Sequence, residues 1–295
     1  MTLDDWQAGG RWYTFQGQRV FLRDEGAGEL LVCIHGFPTA SWDWHRLWPS
    51  LIARYRVLAV DMLGFGFSAK PGDHRYSIHE QASLHEELLA SLDVERFHLL
   101  AHDYGDTVAQ ELLARHLERS HLGELKLEIA SGCLLNGGLF PETHRARLTQ
   151  HLLASRLGPF VARLMNERSF GRSLAAVFGP RTQPTPAELH DFWRLMACND
   201  GTRVAHLLIG YMAERRRHRD RWVEALRETR VPLRLVNGPE DPVSGRHMVE
   251  RYRELVPSPD VVLLDGIGHY PQVEDPAGVL RAYLAFRERV DTRAL

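Results

Sequence analysis

The sequence predicts an α/β fold built on a mostly parallel sheet of eight strands with helices on both faces. Three observations carry that expectation. Short apolar runs alternate with segments of helical spacing over most of the 295 residues. Several of those runs are apolar throughout, the pattern of strands covered on both faces. One long stretch, residues 137–221, breaks the alternation and reads as helix after helix.

Taken in order, residues 11–17 and 19–24 alternate apolar and polar like a hairpin, and residues 30–34 and 55–61 are continuous apolar runs. Residues 78–92 carry apolar positions at helical spacing. Residues 97–101 read as the fifth strand, 107–117 as a helix and 125–135 as the sixth strand. The helical stretch that follows is broken by Gly158-Pro159 and by residues 179–186. Its charge run at 214–221 reads as a solvated helix face. Alternation then resumes with a helix at 223–228, strands at 232–237 and 261–265, and helices at 245–255 and 277–289. Residues 1–136 and 222–295 are therefore expected to form one core, with 137–221 inserted after the sixth strand as a helical cap.

With 44% hydrophobic residues the chain can bury a sizeable core. Net charge is −2, so no overall field points to nucleic acid or to an anionic membrane. All but Lys70 and Lys126 of the 36 basic residues are arginine, which reads as codon bias. Cys33, Cys133 and Cys198 have no metal-ligand spacing, and two lie in apolar runs, so reduced structural thiols are expected. The acidic start Met1-Thr2-Leu3-Asp4-Asp5 lacks an apolar leader, and no run reaches the ~20 apolar residues of a membrane span. The expectation is a cytoplasmic enzyme with no cofactor, no metal, no membrane and no nucleic-acid partner.

The chemistry gathers where strands end. Leu99-Leu100-Ala101-His102-Asp103-Tyr104-Gly105-Asp106 is an apolar strand running into a helix. A sharp strand-to-helix turn of this kind makes its middle residue protrude with a strained backbone, and Asp103 holds that position. A short polar side chain tolerates the positive φ of the turn, and the helix N-terminus favours the ionised carboxylate. Already deprotonated, it can attack carbon and leave an alkyl ester on the enzyme. After the third strand, His35-Gly36-Phe37-Pro38 can offer the Phe37 N–H, pairing with that of Tyr104 as an oxyanion hole. Asp61 to Ser68 passes into a glycine turn and reads as structural. In Asn237-Gly238-Pro239-Glu240-Asp241-Pro242 the acid that orients a base is assigned to Asp241, with Glu240 its rival. His269, in Gly266-Ile267-Gly268-His269-Tyr270-Pro271, is the candidate general base.

These motifs, in the order nucleophile, acid, histidine, resemble the α/β hydrolases with an aspartate nucleophile, namely epoxide hydrolases and haloalkane dehalogenases. The resemblance spans residues 11–286 and is most specific at 102–113 and 136–145. It implies the α/β-hydrolase fold, a helical cap over the site, and a triad of Asp103, His269 and Asp241. Two departures stand out: Ala101 replaces the first elbow glycine, and Asp106 replaces the second and adds an acid near Asp103.

The family's dehalogenases hold halide with a Trp after the nucleophile plus an Asn or second Trp, where this chain has Tyr104 and Phe37. Its epoxide hydrolases use two cap tyrosines. The expected cap holds one, Tyr211, as candidate proton donor, with His144 as a second donor or pocket residue and Trp44 as a candidate lining residue. Epoxide hydrolysis to a diol, on a small apolar organic substrate with water, is the expected function. Haloalkane dehalogenation or another small-molecule hydrolysis is the alternative, and a non-catalytic binding protein on the same scaffold a third.

Overall fold

The computed structural model describes residues 1–294. Eight strands form one sheet: β1 (Arg11–Phe15), β2 (Gln18–Glu25), β3 (Leu30–Ile34), β4 (Arg56–Val60), β5 (Arg96–His102), β6 (Glu128–Leu135), β7 (Leu233–Asn237) and β8 (Val261–Leu263). Their spatial order is β1-β2-β4-β3-β5-β6-β7-β8. The pairs β1–β2 and β2–β4 are antiparallel and the rest are parallel. Gln16 and Gly17, both at positive φ, close the first hairpin. Every side chain of β3 is buried, which a strand covered by helices on both faces requires.

The order of the central strands positions the site. From β3 the chain moves outward to β4, then returns through the Ile78–Ser91 helix to add β5 on the other side of β3. The strand order reverses between β3 and β5, so the loops leaving their carboxyl ends diverge and open a crevice. Phe37 follows β3 and Asp103 follows β5.

Between β6 and β7 no residue joins the sheet; helices occupy Leu148–Ala154, Gly158–Leu164, Glu167–Ala175, Pro186–Ala197, Ala205–Leu208 and Tyr211–Arg217. The helix expected from residue 223 starts at Arg219, because its first turn already packs along the long Tyr104–Leu122 helix. That long helix in turn begins three residues earlier than expected, since Asp103 itself is the turn.

The N-terminal helix escaped the sequence reading, as did the single turn at Pro271–Glu274. Thr2 and Asp5 cap each other's backbone amides to start the Leu3–Ala8 helix, which inserts Trp6 edge-on against Trp42 and Trp48. Its six residues are too few to show a period, although the capping pair was legible. The three cysteines are free, with Cys33 and Cys133 buried. Among the described residues no helix is long and apolar enough to cross a membrane.

Candidate active site

Asp103 sits at φ 47°, ψ −103° between β5 and the following helix. So abrupt a turn brings the helix start onto β3: a Cβ at Gly105 would lie 2.4 Å from the Ile34 carbonyl oxygen, so only glycine fits. Gly36 has the same reason to be glycine, since a Cβ there would lie 2.6 Å from His102 Nδ1. That close approach delivers the Phe37 amide to Asp103, donating to Oδ2 at 3.1 Å. Tyr104 is the first helical residue, and its N–H belongs to the turn that has no intrahelical acceptor. Its ring is buried between Phe65 and Tyr211.

His269 stands between two carboxylates. Its Nδ1 is 2.7 Å from Asp241 Oδ2 and its Nε2 is 3.8 Å from Asp103 Oδ2. Asp241 is held firmly: the Val243 amide donates to Oδ1 at 2.7 Å, and Asn136 Nδ2 and Ser244 Oγ donate to Oδ2 at 3.0 and 2.8 Å. Glu240, the rival, is exposed. Burial opposes protonation of His269, but the Asp241 charge, the nearby Asp103 carboxylate and the bond to Asp241 outweigh it and push the imidazole up to about 10. For Asp103, burial works to raise its carboxyl, yet the neighbouring His269 and the Arg215 guanidinium hold it well below the usual range. At neutral pH the three groups form a carboxylate–imidazolium–carboxylate array.

The backbone of His269 is fixed on both sides. Its N–H donates to the Val177 carbonyl at 2.9 Å, and its carbonyl bonds His102 Nε2 at 2.8 Å. Glu274 adds a clasp, accepting from the amides of Gly179, Gly268 and Tyr270 at 2.8, 2.8 and 2.9 Å. The histidine loop is thereby stitched to the helical segment between β6 and β7.

Arg215 was missed. The run 214–221 does not lie wholly in solvent: Arg215 is 2% exposed. Its Nη2 donates to the Asp103 carbonyl at 3.0 Å and lies 3.4 Å from Oδ1, while Nε donates to Thr107 Oγ1 at 2.7 Å. The available signal was its place four residues after Tyr211, on the same helix face; the two now stack, with the guanidinium 4.5 Å from the ring centroid. Removing one partner of a buried charge pair leaves the other uncompensated, so Arg215→Met is expected to lower stability by about 3 kcal/mol, measured by urea unfolding.

Asp106, the acid that replaces the second elbow glycine, is fully buried, and its Oδ1 accepts from the Leu135 amide at 3.4 Å. Burial, then the Asp103 charge, push its carboxyl well above the usual range.

A cavity of about 1050 Å³ opens at Asp103, Phe37 and His269, walled largely by apolar side chains such as Leu153, Val161, Leu174 and Met196. Asp241 and Tyr104 sit behind its wall, and the three residues expected to donate or line from elsewhere also fall outside its lining. Trp44 is wholly buried in the Ser41–Trp44 turn, which turns the indole into the core. His144 instead lines a second cavity of about 510 Å³, together with Arg215 and His206. Tyr211 is 2% exposed, its ring centroid 5.7 Å from Phe37 and 5.1 Å from Tyr104. Its hydroxyl lies beside the Gln150 side chain, which does line the cavity. Burial keeps the phenol above its usual pKa and hence protonated.

Residues 31–282 match the Alpha/beta hydrolase family. The chain is 47% identical to the mesoderm-specific transcript protein of Mus musculus over 295 aligned residues, covering 96% of this chain and 87% of that one. It is 40% identical to the putative hydrolase LipZ of Mycobacterium tuberculosis, covering 96% and 97%. Among solved structures, haloalkane dehalogenase DbeA from Bradyrhizobium elkani superposes with a TM-score of 0.80 at 19% identity, over 96% of this chain and 99% of that one, a likeness of fold. The eight-stranded sheet, the elbow after β5 and the match over most of the chain lead to one statement: the protein belongs to the alpha/beta hydrolase family.

Proposed function

We propose that the protein is a hydrolase that opens epoxides to diols through an alkyl ester on Asp103. The observation that carries this reading is the placement of His269 between Asp241 and Asp103. Asp103 attacks a ring carbon, and a C–O bond of the epoxide breaks as the ester bond forms. The Tyr211 hydroxyl donates to the freed oxygen, and the proton that oxygen finally keeps comes from His269 through water in the cavity. His269 gives it up because esterification removes one of the two carboxylates that held it.

Neutral His269, oriented by Asp241, then takes a proton from water, and the hydroxide adds to the ester carbonyl while the amides of Phe37 and Tyr104 hold the oxyanion. Collapse expels the alkoxide, which takes the proton of the regenerated Asp103 acid; diol leaves, and the resting array returns. Halide departure needs N–H donors around the leaving ion, and Tyr104 and Phe37 supply no indole N–H there. Dehalogenation is therefore the lesser reading, and the buried Trp44 offers a halide nothing. In this scheme residues 137–221 serve as a cap on the core formed by 1–136 and 222–295. The name of the Mycobacterium relative supports hydrolysis in general.

A single turnover of a medium-chain terminal epoxide in heavy-oxygen water tests the scheme. One labelled oxygen is expected in the Asp103 carboxylate by peptide mass analysis, and unlabelled diol in that first turnover. Label in the diol with none in Asp103 means direct attack by water and removes the ester.

A further inference from the structure

We propose that the helices Leu148–Ala154 and Gly158–Leu164 form a docking face for an anionic lipid surface, from which apolar substrate enters the cavity. Leu148, Leu157, Phe160 and Leu164 are 74%, 61%, 62% and 61% exposed. Most large aliphatic side chains of this protein are buried, and the four cluster within 17 residues. Leu157, Phe160 and Leu164, at i, i+3 and i+7, share one helix face. The same four side chains line the cavity at Asp103, so the patch is the rim of its mouth. An apolar patch of this kind around a ligand cavity marks an interaction site.

Charge selects the occupant. From residue 144 to 180 stand six arginines, Arg145, Arg147, Arg156, Arg163, Arg168 and Arg172, against one carboxylate, Glu167. All six are exposed. Among the described residues none of the six takes part in an ion pair. Short helices with aliphatic and aromatic residues flanked by arginine suit the boundary between headgroups and acyl chains. A second copy of this chain is the poorer occupant, because a two-fold contact would set the same arginines against each other. The net charge of −2, from which no membrane partner was expected, averages this segment with acidic surface elsewhere.

The docking stands apart from the chemistry; only the delivery of substrate rests on the proposed function. The test is co-flotation of the full chain with vesicles of phosphatidylcholine, with and without about a third phosphatidylglycerol, at low and high salt. Wild type is expected to float with the anionic vesicles and to be released by salt. Arg156→Glu with Arg163→Glu is expected to lower the bound fraction about tenfold while hydrolysis of a short, water-soluble epoxide is kept. Phe160→Ser with Leu164→Ser is expected to abolish flotation, and Asp103→Asn to float like wild type. Absence of flotation overturns the proposal, as does flotation indifferent to charge reversal. So does a dimer by light scattering that Phe160→Ser with Leu164→Ser converts to monomer without any vesicle binding. Normal flotation in a protein that turns over no epoxide upholds the docking and rejects the chemistry.

Discussion

The His269→Gln protein is expected to accumulate with its substrate covalently attached. Formation of the ester needs Asp103 ionised and a donor to the freed oxygen. In the variant Arg215 still lies beside the carboxylate and the Phe37 amide still donates to it. Tyr211 still donates to the oxygen, and the proton that oxygen keeps comes from solvent in place of His269. Hydrolysis of the ester needs a base within reach of water, and general-base catalysis contributes about 10²–10⁴ in rate. Steady turnover should fall by roughly that factor, while intact-protein mass analysis shows one substrate mass added to nearly every molecule. Normal turnover, or turnover lost with no adduct, sinks the assignment of the base. The same variant reads out the electrostatics of the resting site. The folded-state pKa of His269 is raised, so its contribution to stability is fully present below the unfolded value of about 6.5 and is lost as pH rises through about 10. Wild-type Tm should therefore fall from pH 7 to pH 10 more steeply than that of His269→Gln.

Asp103→Asn is expected to remove turnover by roughly 10⁴-fold and to form no adduct at all, because a neutral amide cannot displace an alkoxide. The backbone of the elbow should survive, since asparagine tolerates positive φ as aspartate does. With the charge gone, His269 keeps Asp241 but loses its second carboxylate, so its pKa should drop from about 10 toward its ordinary value, as an NMR titration of the ring would record. Unchanged turnover in Asp103→Asn ends the nucleophile assignment. Ligand-induced stabilisation equal in both proteins, with turnover in neither, favours a binding protein on this scaffold.

How far the site could be read in advance depended on whether a residue sat at the end of a periodic element. Asp103, Asp241 and His269 each follow a strand, and strand ends are marked by glycine and proline, so their neighbourhood was visible in the sequence. Arg215 lies among exposed arginines, and only its spacing of four residues from Tyr211 separates the one that turns inward from Arg216 and Arg217 beside it. Asn136 and His102 were quoted within motifs, yet their bonds to Asp241 and to the His269 carbonyl join strands far apart in sequence. Trp44 and His144 went the other way: Trp44 follows the Phe37 loop along the chain, but its turn buries the indole in the core, and His144, expected as a second donor from the cap, faces the second cavity instead.

The clasp made by Glu274 has a consequence for anyone who would re-engineer this enzyme. Gly179 and Val177, which lie in the stretch that shapes the cavity, share hydrogen bonds with the very loop that carries His269. Specificity and turnover are consequently not independent modules. A graft that swaps residues 137–221 for those of a relative, in order to admit a different substrate, would also unfasten the histidine unless the Gly179–Glu274 contact travels with it. Chimeras should be cut with that joint intact.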